Sequence, residues 1–215
     1  MTELTQNSIM QALDWAYEKA VGGVAGLDSA SDIADSYSKN GGSKIDQANS
    51  LIRWQNAKAG TSGFLTGLGG ILIMPVTIPA NLASVMYVQI RMIAAIAHLG
   101  GHDLRDDRVK TLVYACLTGN AAKEILKDVG IQVGKKFAQS AIKNISGKTL
   151  QAINQKVGFR LLTKAGEKGV INLGKTVPLL GGIVGAAFDS VTTNTIGNIA
   201  RDTFITADEA EVALM

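Results

Sequence analysis

Residues 60–99, GTSGFLTGLGGILIMPVTIPANLASVMYVQIRMIAAIAHL, decide the fold class. The first charge in this stretch is Arg91, and the charge-free run reaches back to Ala59. About 20 consecutive apolar residues suffice to cross a bilayer, so length alone would admit a span. The interior argues against a simple one. Gly60, Gly63, Gly67, Gly69 and Gly70 crowd the first half, while Pro75 and Pro79 each lack a backbone donor and disfavour helix at the preceding residue. The pattern predicts an apolar helical hairpin interrupted by an elbow, with Gly67, Gly70, Pro75 and Pro79 shaping it. In the second arm, 80–99, Asn81, Ser84, Tyr87, Arg91 and His98 recur at steps of 3, 3, 4 and 7, one polar stripe on an apolar rod. A stripe that narrow suits a helix buried in protein or bordered by lipid.

Helical signals continue on both sides. Upstream, Ile9, Ala12, Leu13, Ala16, Ala20 and Val21 predict an amphipathic helix over 6–21, stopped by Gly22-Gly23. Asp28 or Ser29 caps a short segment through Tyr37, and Ser43 starts a helix to about Ala59. Downstream, Gly100-Gly101 stops the 80–99 helix, and HDLRDDR supplies capping carboxylates for a helix from Asp106 to Leu117. Further helices are expected over 120–144, 148–166 and 180–204, separated by Gly147, Gly166, Gly169 and Pro178. Gly181, Gly182 and Gly185 make the last helix a second Gly-rich apolar element suited to close packing. No stretch alternates as a strand would. The expected fold is all-α, a compact helical bundle with a Gly/Pro-interrupted apolar hairpin. Its parts are an N-terminal helical arm (1–60) packed on a main helical domain (61–205), and an acidic tail (206–215).

Composition narrows the class. The chain has 215 residues, 47% hydrophobic and 18% charged, enough apolar mass for a core and too much for a disordered segment. Aromatics are only 5% and mean hydropathy is +0.18, a leaning toward membranes. A single cysteine, Cys116, rules out an intramolecular disulfide and a CxxC zinc site. The first 20 residues carry no basic stretch followed by an apolar one, so no cleaved signal peptide is expected there. The net charge of +3 hides a segregation: residues 121–175 carry 11 basic and 3 acidic side chains, while 176–215 carry 1 and 5. A cationic block serves nucleic acid, anionic lipid or an acidic partner. Only Phe137 and Phe159 interleave with it, which speaks against base stacking and for anionic headgroups.

Five ordered blocks carry a resemblance. SGFLTGLGGILIMPVTIPANL, YVQIRMIAAIAHLGG, DDRVKTLVYACLTG, NQKVGFRLLTKAGEKG and KTVPLLGGIVGAAFD together resemble the EcsC family over roughly residues 50–205. The resemblance implies a mostly helical protein associated with bacterial membranes or secretion, and it brings no reaction or catalytic residue with it. Where similar sequences often carry an acidic residue, this chain has Asn81.

Candidate chemistry is sparse. GFLTGLGG lacks the Lys-Ser/Thr ending of a P-loop and follows a helix, which favours helix packing over a phosphate cradle. His98 and His102, with Asp103, Asp106 and Asp107, are ligand types that suit zinc, but Gly100-Gly101 breaks the helix between the histidines and capping accounts for the acids. Cys116 has no local base and reads as a small core residue. Ser62, Thr66 and Ser84 lack a nucleophile-elbow context, although triads assemble from distant sequence and His98 is available to one. No catalytic residue, metal or cofactor is therefore assigned.

Two polar sets remain. Arg91 and Asp189 each fall in a long apolar helix, where an unpaired charge costs several kcal/mol. Each calls for a partner, and pairing with one another is one solution, with Asn194 and Asn198 extending the buried network. A pair fixing helix register is favoured over a polar centre in a lipid-facing bundle. Lys156, Arg160, Lys164 and Lys168 recur every four residues on one helix face. This stripe either meets lipid phosphate or solubilises the face opposite Val157, Leu161 and Leu162.

The sequence thus reads as a non-catalytic interaction or lipid-binding module linked to secretion or envelope processes. The expected place is the cytoplasmic face of the inner membrane, bound peripherally. The expected partner is an anionic membrane surface or a membrane protein, not nucleic acid, and the oligomeric state is open. A hydrolase acting on lipid or peptide and a membrane-inserting effector are the alternatives.

Overall fold

A computed structural model of the chain describes residues 5–59, 80–131, 139–173 and 181–205, and the side chains of 5–57, 83–131, 141–164 and 192–205. The elbow residues Gly67, Gly70, Pro75 and Pro79 and the tail 206–215 lie outside the described residues. The fold is all-α: among the described residues there are nine helices and no strand, only one isolated bridge between Val24 and Leu27.

Helices α1 (Gln6–Gly22), α2 (Ala30–Ser38) and α3 (Lys44–Ala59) each begin on a side-chain cap. Thr5 and Ser8 exchange bonds in a capping box at α1, Ser29 and Asp32 do so at α2, and Ser43 Oγ accepts from Asp46 N at 3.2 Å before α3. These oxygens satisfy first-turn N–H groups that have no partner within the helix.

Helix α4 (Ala80–Leu99) is the axis of the bundle. It packs against α1, α2, α3, α5 (Asp107–Leu117) and α9 (Gly181–Phe204). With neighbours on all sides, nearly every residue from Ala83 to Ala97 is buried, including Ile90, Ile93 and Ile96. Each such isoleucine contributes about 1.5–3 kcal/mol of burial. The charge-poor rod of the sequence is thus covered by protein along its described length. Its end is a Schellman turn: Gly101, at φ +80°, donates to His98 O at 2.8 Å, and His102 N reaches Ala97 O at 3.1 Å. Gly100 lies so close to the end of α9 that a Cβ there would stand 2.2 Å from the Phe204 carbonyl oxygen.

The region 120–144 differs from expectation. Helix α6 (Ala121–Asp128) ends in a second Schellman turn, with Gly130 N to Lys127 O and Ile131 N to Leu126 O, and α7 (Gln139–Lys143) is separate. Conversely, α8 (Gly147–Leu173) runs through Gly166 and Gly169, which were expected to break it. A glycine inside a helix costs only about 1 kcal/mol, and here the helix absorbs three, Gly158 included.

Two seams hold the layers. Between α1 and α5, Asp14 Oδ1 accepts from Tyr114 OH at 2.8 Å and meets Lys110 Nζ at 2.7 Å, while Tyr17 OH donates to Leu104 O. Burial first, and then the nearby carboxylates, push the ionisation of both tyrosines far above the ordinary range, so they stay neutral donors. Between α3 and α9, Gly197 allows the closest approach: an added Cβ would sit 2.7 Å from Ile52 Cγ1. Helices α1 and α2 contribute to the same core as α3–α9.

Candidate functional site

Helix α8 turns Ile153 and Val157 inward, and Gly158 faces α1, where an added Cβ would meet Gln6 Cγ at 2.8 Å. Lys156, Phe159 and Arg160 on the same helix are all exposed. Phe159 is 63% exposed, and Trp54 on α3 is the other large hydrophobic side chain left open among the described residues. The cationic stripe is not uniform. Lys156 Nζ is bound to Asp128 Oδ2 of α6 at 2.5 Å, Lys164 is half-buried, and the Lys168 side chain lies outside the described residues. Exposed Lys143 and Lys148 precede and open α8.

The polar residues expected to form one buried network divide into two places. On α4, Arg91 is 4% exposed and donates through Nη1 to the Asp28 carbonyl at 3.1 Å. Its guanidinium lies 5.3 Å from the centroid of the Tyr87 ring, a cation–π distance. The Asp189 side chain lies outside the described residues. Asn194, expected in this buried set, is instead exposed, and its Oδ1 accepts from Asn56 on α3 at 3.3 Å. It belongs to the α3–α9 seam, where Arg201 Nη1 donates to Asn49 Oδ1 at 2.6 Å and Asn198 Oδ1 at 3.1 Å. Sequence reasoning passed over Arg201 because its α3 partner is 152 positions away.

The model of the EcsC protein family matches residues 43–205. The chain belongs to the EcsC family. The matched segment opens at the Ser43 cap of α3 and closes just beyond α9, so its first and last helices are the pair that pack through Gly197. In this EcsC protein, α1 and α2 precede the matched segment and lie against α4. Searches of curated proteins and of solved structures find no match.

The remaining candidates of this EcsC chain lie in its core and in one cleft. Cys116 is fully buried, its thiol pushed up to about 12 chiefly by desolvation, with Thr203 Oγ1 3.7 Å from its sulfur. A thiol so placed is a packing group rather than a nucleophile. The two histidines are tied separately: His98 Nε2 lies 3.6 Å from Asp35 Oδ1, and His102 Nε2 lies 2.8 Å from the Phe204 carbonyl. Asp103 and Asp106 accept from the backbone N–H groups of Arg105 and Arg108, the capping role expected of them. Among the described residues no group of three His, Cys, Asp or Glu side chains is placed to hold a metal. His98 and His102 do border a cleft of about 550 Å³, with Ser31 on its α2 wall. Sequence reasoning had no signal for Ser31, whose approach to His98 depends on how α2 crosses α4. Among the described residues no helix is long and apolar enough to cross a membrane.

Proposed function

We propose that this EcsC-family protein is a non-catalytic module that docks peripherally on an anionic membrane surface, at the cytoplasmic face of the inner membrane, through the outer face of α8. The observation that carries the reading is Phe159, 63% exposed on the same face as Lys156 and Arg160. An aromatic ring that enters the headgroup layer beside cations is how interfacial helices hold to a bilayer. Each Lys or Arg near an anionic surface contributes about 1 kcal/mol. Arg160 carries the larger part of this attraction, since Lys156 is already neutralised by Asp128. The test is flotation of the purified protein with neutral and anionic vesicles at low and high salt. Binding to anionic vesicles, weakened by salt and reduced in Phe159→Ala and Arg160→Glu, is the expected result. Absence of flotation with either vesicle overturns the reading and leaves α8 a solvated face.

A second reading, hydrolysis of a lipid or peptide, draws on the cleft that His98 and Ser31 both line, with Asp35 3.6 Å from His98. It ranks below the first because no hydrogen bond joins Ser31 to His98 among the described residues. Labelling by a fluorophosphonate at Ser31, lost in His98→Ala, would raise it above the first.

A further inference from the structure

Helix α4 carries two buried polar side chains one turn apart, and both keep hydrogen-bonding groups unused. Tyr87 is fully buried, and its hydroxyl proton finds no acceptor among the described residues. Arg91 spends Nη1 on the Asp28 carbonyl, while its buried Nε meets no acceptor among the described residues and no carboxylate there pairs with it. Buried polar groups are almost always satisfied, so each exception asks for an explanation. A guanidinium withdrawn from water without a counter-charge is a costly one.

The free groups are of one kind. The Nε edge of Arg91 is a planar fork suited to two oxygens of one anion, and the Tyr87 hydroxyl supplies a further donor. Guanidinium and ring are already in contact. Burial raises the Tyr87 ionisation and Arg91 pulls against it, so the hydroxyl keeps its proton at neutral pH. The carbonyl that Arg91 holds belongs to Asp28, an exposed residue in the turn between α1 and α2. We propose that Arg91 and Tyr87 form a site for a phosphate group that enters at the α1–α2 turn. Phosphate offers enough oxygens for the fork and the hydroxyl together, where a carboxylate offers two. The Asp28 carboxylate, which acts on Tyr87 as a negative charge, is the opposing group at the mouth.

The inference stands apart from the α8 surface, and its test needs no bilayer. Full-length protein is titrated calorimetrically with inorganic phosphate and, separately, with a soluble short-chain phosphatidic acid, against chloride at matched ionic strength. Saturable binding at one site is expected. Tyr87→Phe weakens it roughly tenfold, the effect of losing one hydrogen bond to a charged group, and Arg91→Lys weakens it at least as much. Asp28→Asn tightens it, and Phe159→Ala leaves it unchanged. Binding of both ligands identifies a site open to any phosphate, and binding of the phosphatidic acid alone identifies a lipid headgroup; either supports the proposal. No saturable binding of either ligand, or equal affinity in Tyr87→Phe, overturns it. Should Arg91→Lys not fold, Tyr87→Phe decides, since it removes a single oxygen atom.

Discussion

Helix α4 is enclosed by α1, α2, α3, α5 and α9, whereas α8 rests on α1, α5 and α6 and leaves Phe159 and Arg160 to solvent. The two helices therefore treat the same residue type differently. Arg91 on α4 has lost its water and gained only a backbone carbonyl and a tyrosine face. Arg160 on α8 keeps its hydration at almost no cost. A cation on α8 can thus be changed with little effect on folding, while the buried Arg91 on α4 is tied to it.

Substitutions along each helix sharpen this contrast. Ile93→Ala in α4 empties a fully buried position and is expected to destabilise by about 3–4 kcal/mol, read as a drop in urea midpoint. A loss under about 1 kcal/mol would contradict the enclosure of α4. Next in size is Gly197→Ala on the flank that seals α4, where the new methyl meets Ile52. The expected cost is about 1–3 kcal/mol, partly relieved by Ile52→Ala, which removes every atom the new methyl meets, in a double-mutant cycle, and additive effects of the two changes would refute the contact. Tyr114→Phe removes the bond to Asp14 between α1 and α5 and should cost about 1–2 kcal/mol by the same measurement. Smallest is Lys156→Ala on α8. Its bridge to Asp128 is exposed on both sides, so thermal melts should shift by no more than about 1 kcal/mol. A larger loss would make α8 a structural strut and erase the distinction.

Much of the α4 environment was readable in advance. The spacing of Ser84, Tyr87 and Arg91 placed them on one stripe, and Gly100-Gly101 marked the stop. The break at Gly130 was missed because Ala121, Ala122, Ile125 and Leu126 keep a helical period up to it, although Val-Gly-Ile is itself a Schellman signature. Gly166 and Gly169 were read as stops because local propensity alone says so, yet no capping pattern accompanies them. For the candidate surface, the period of four on α8 was visible, but the capture of Lys156 by Asp128, 28 positions away, was not. The exposure of Asn194 depends likewise on the angle at which α3 meets α9, which no local pattern encodes.

The closure of α9 against α3 and α4 also imposes an order in time. Helix α4 ends at Leu99, and the helix that covers one of its flanks ends at Phe204. At synthesis rates of roughly 5–20 residues per second, on the order of 5–20 s pass before that flank receives its cover. During this interval the most apolar of the described helices stands open on the ribosome, available to a chaperone or to a nearby bilayer. Gly197, by setting how tightly the last helix docks, then determines how completely that nascent exposure is withdrawn.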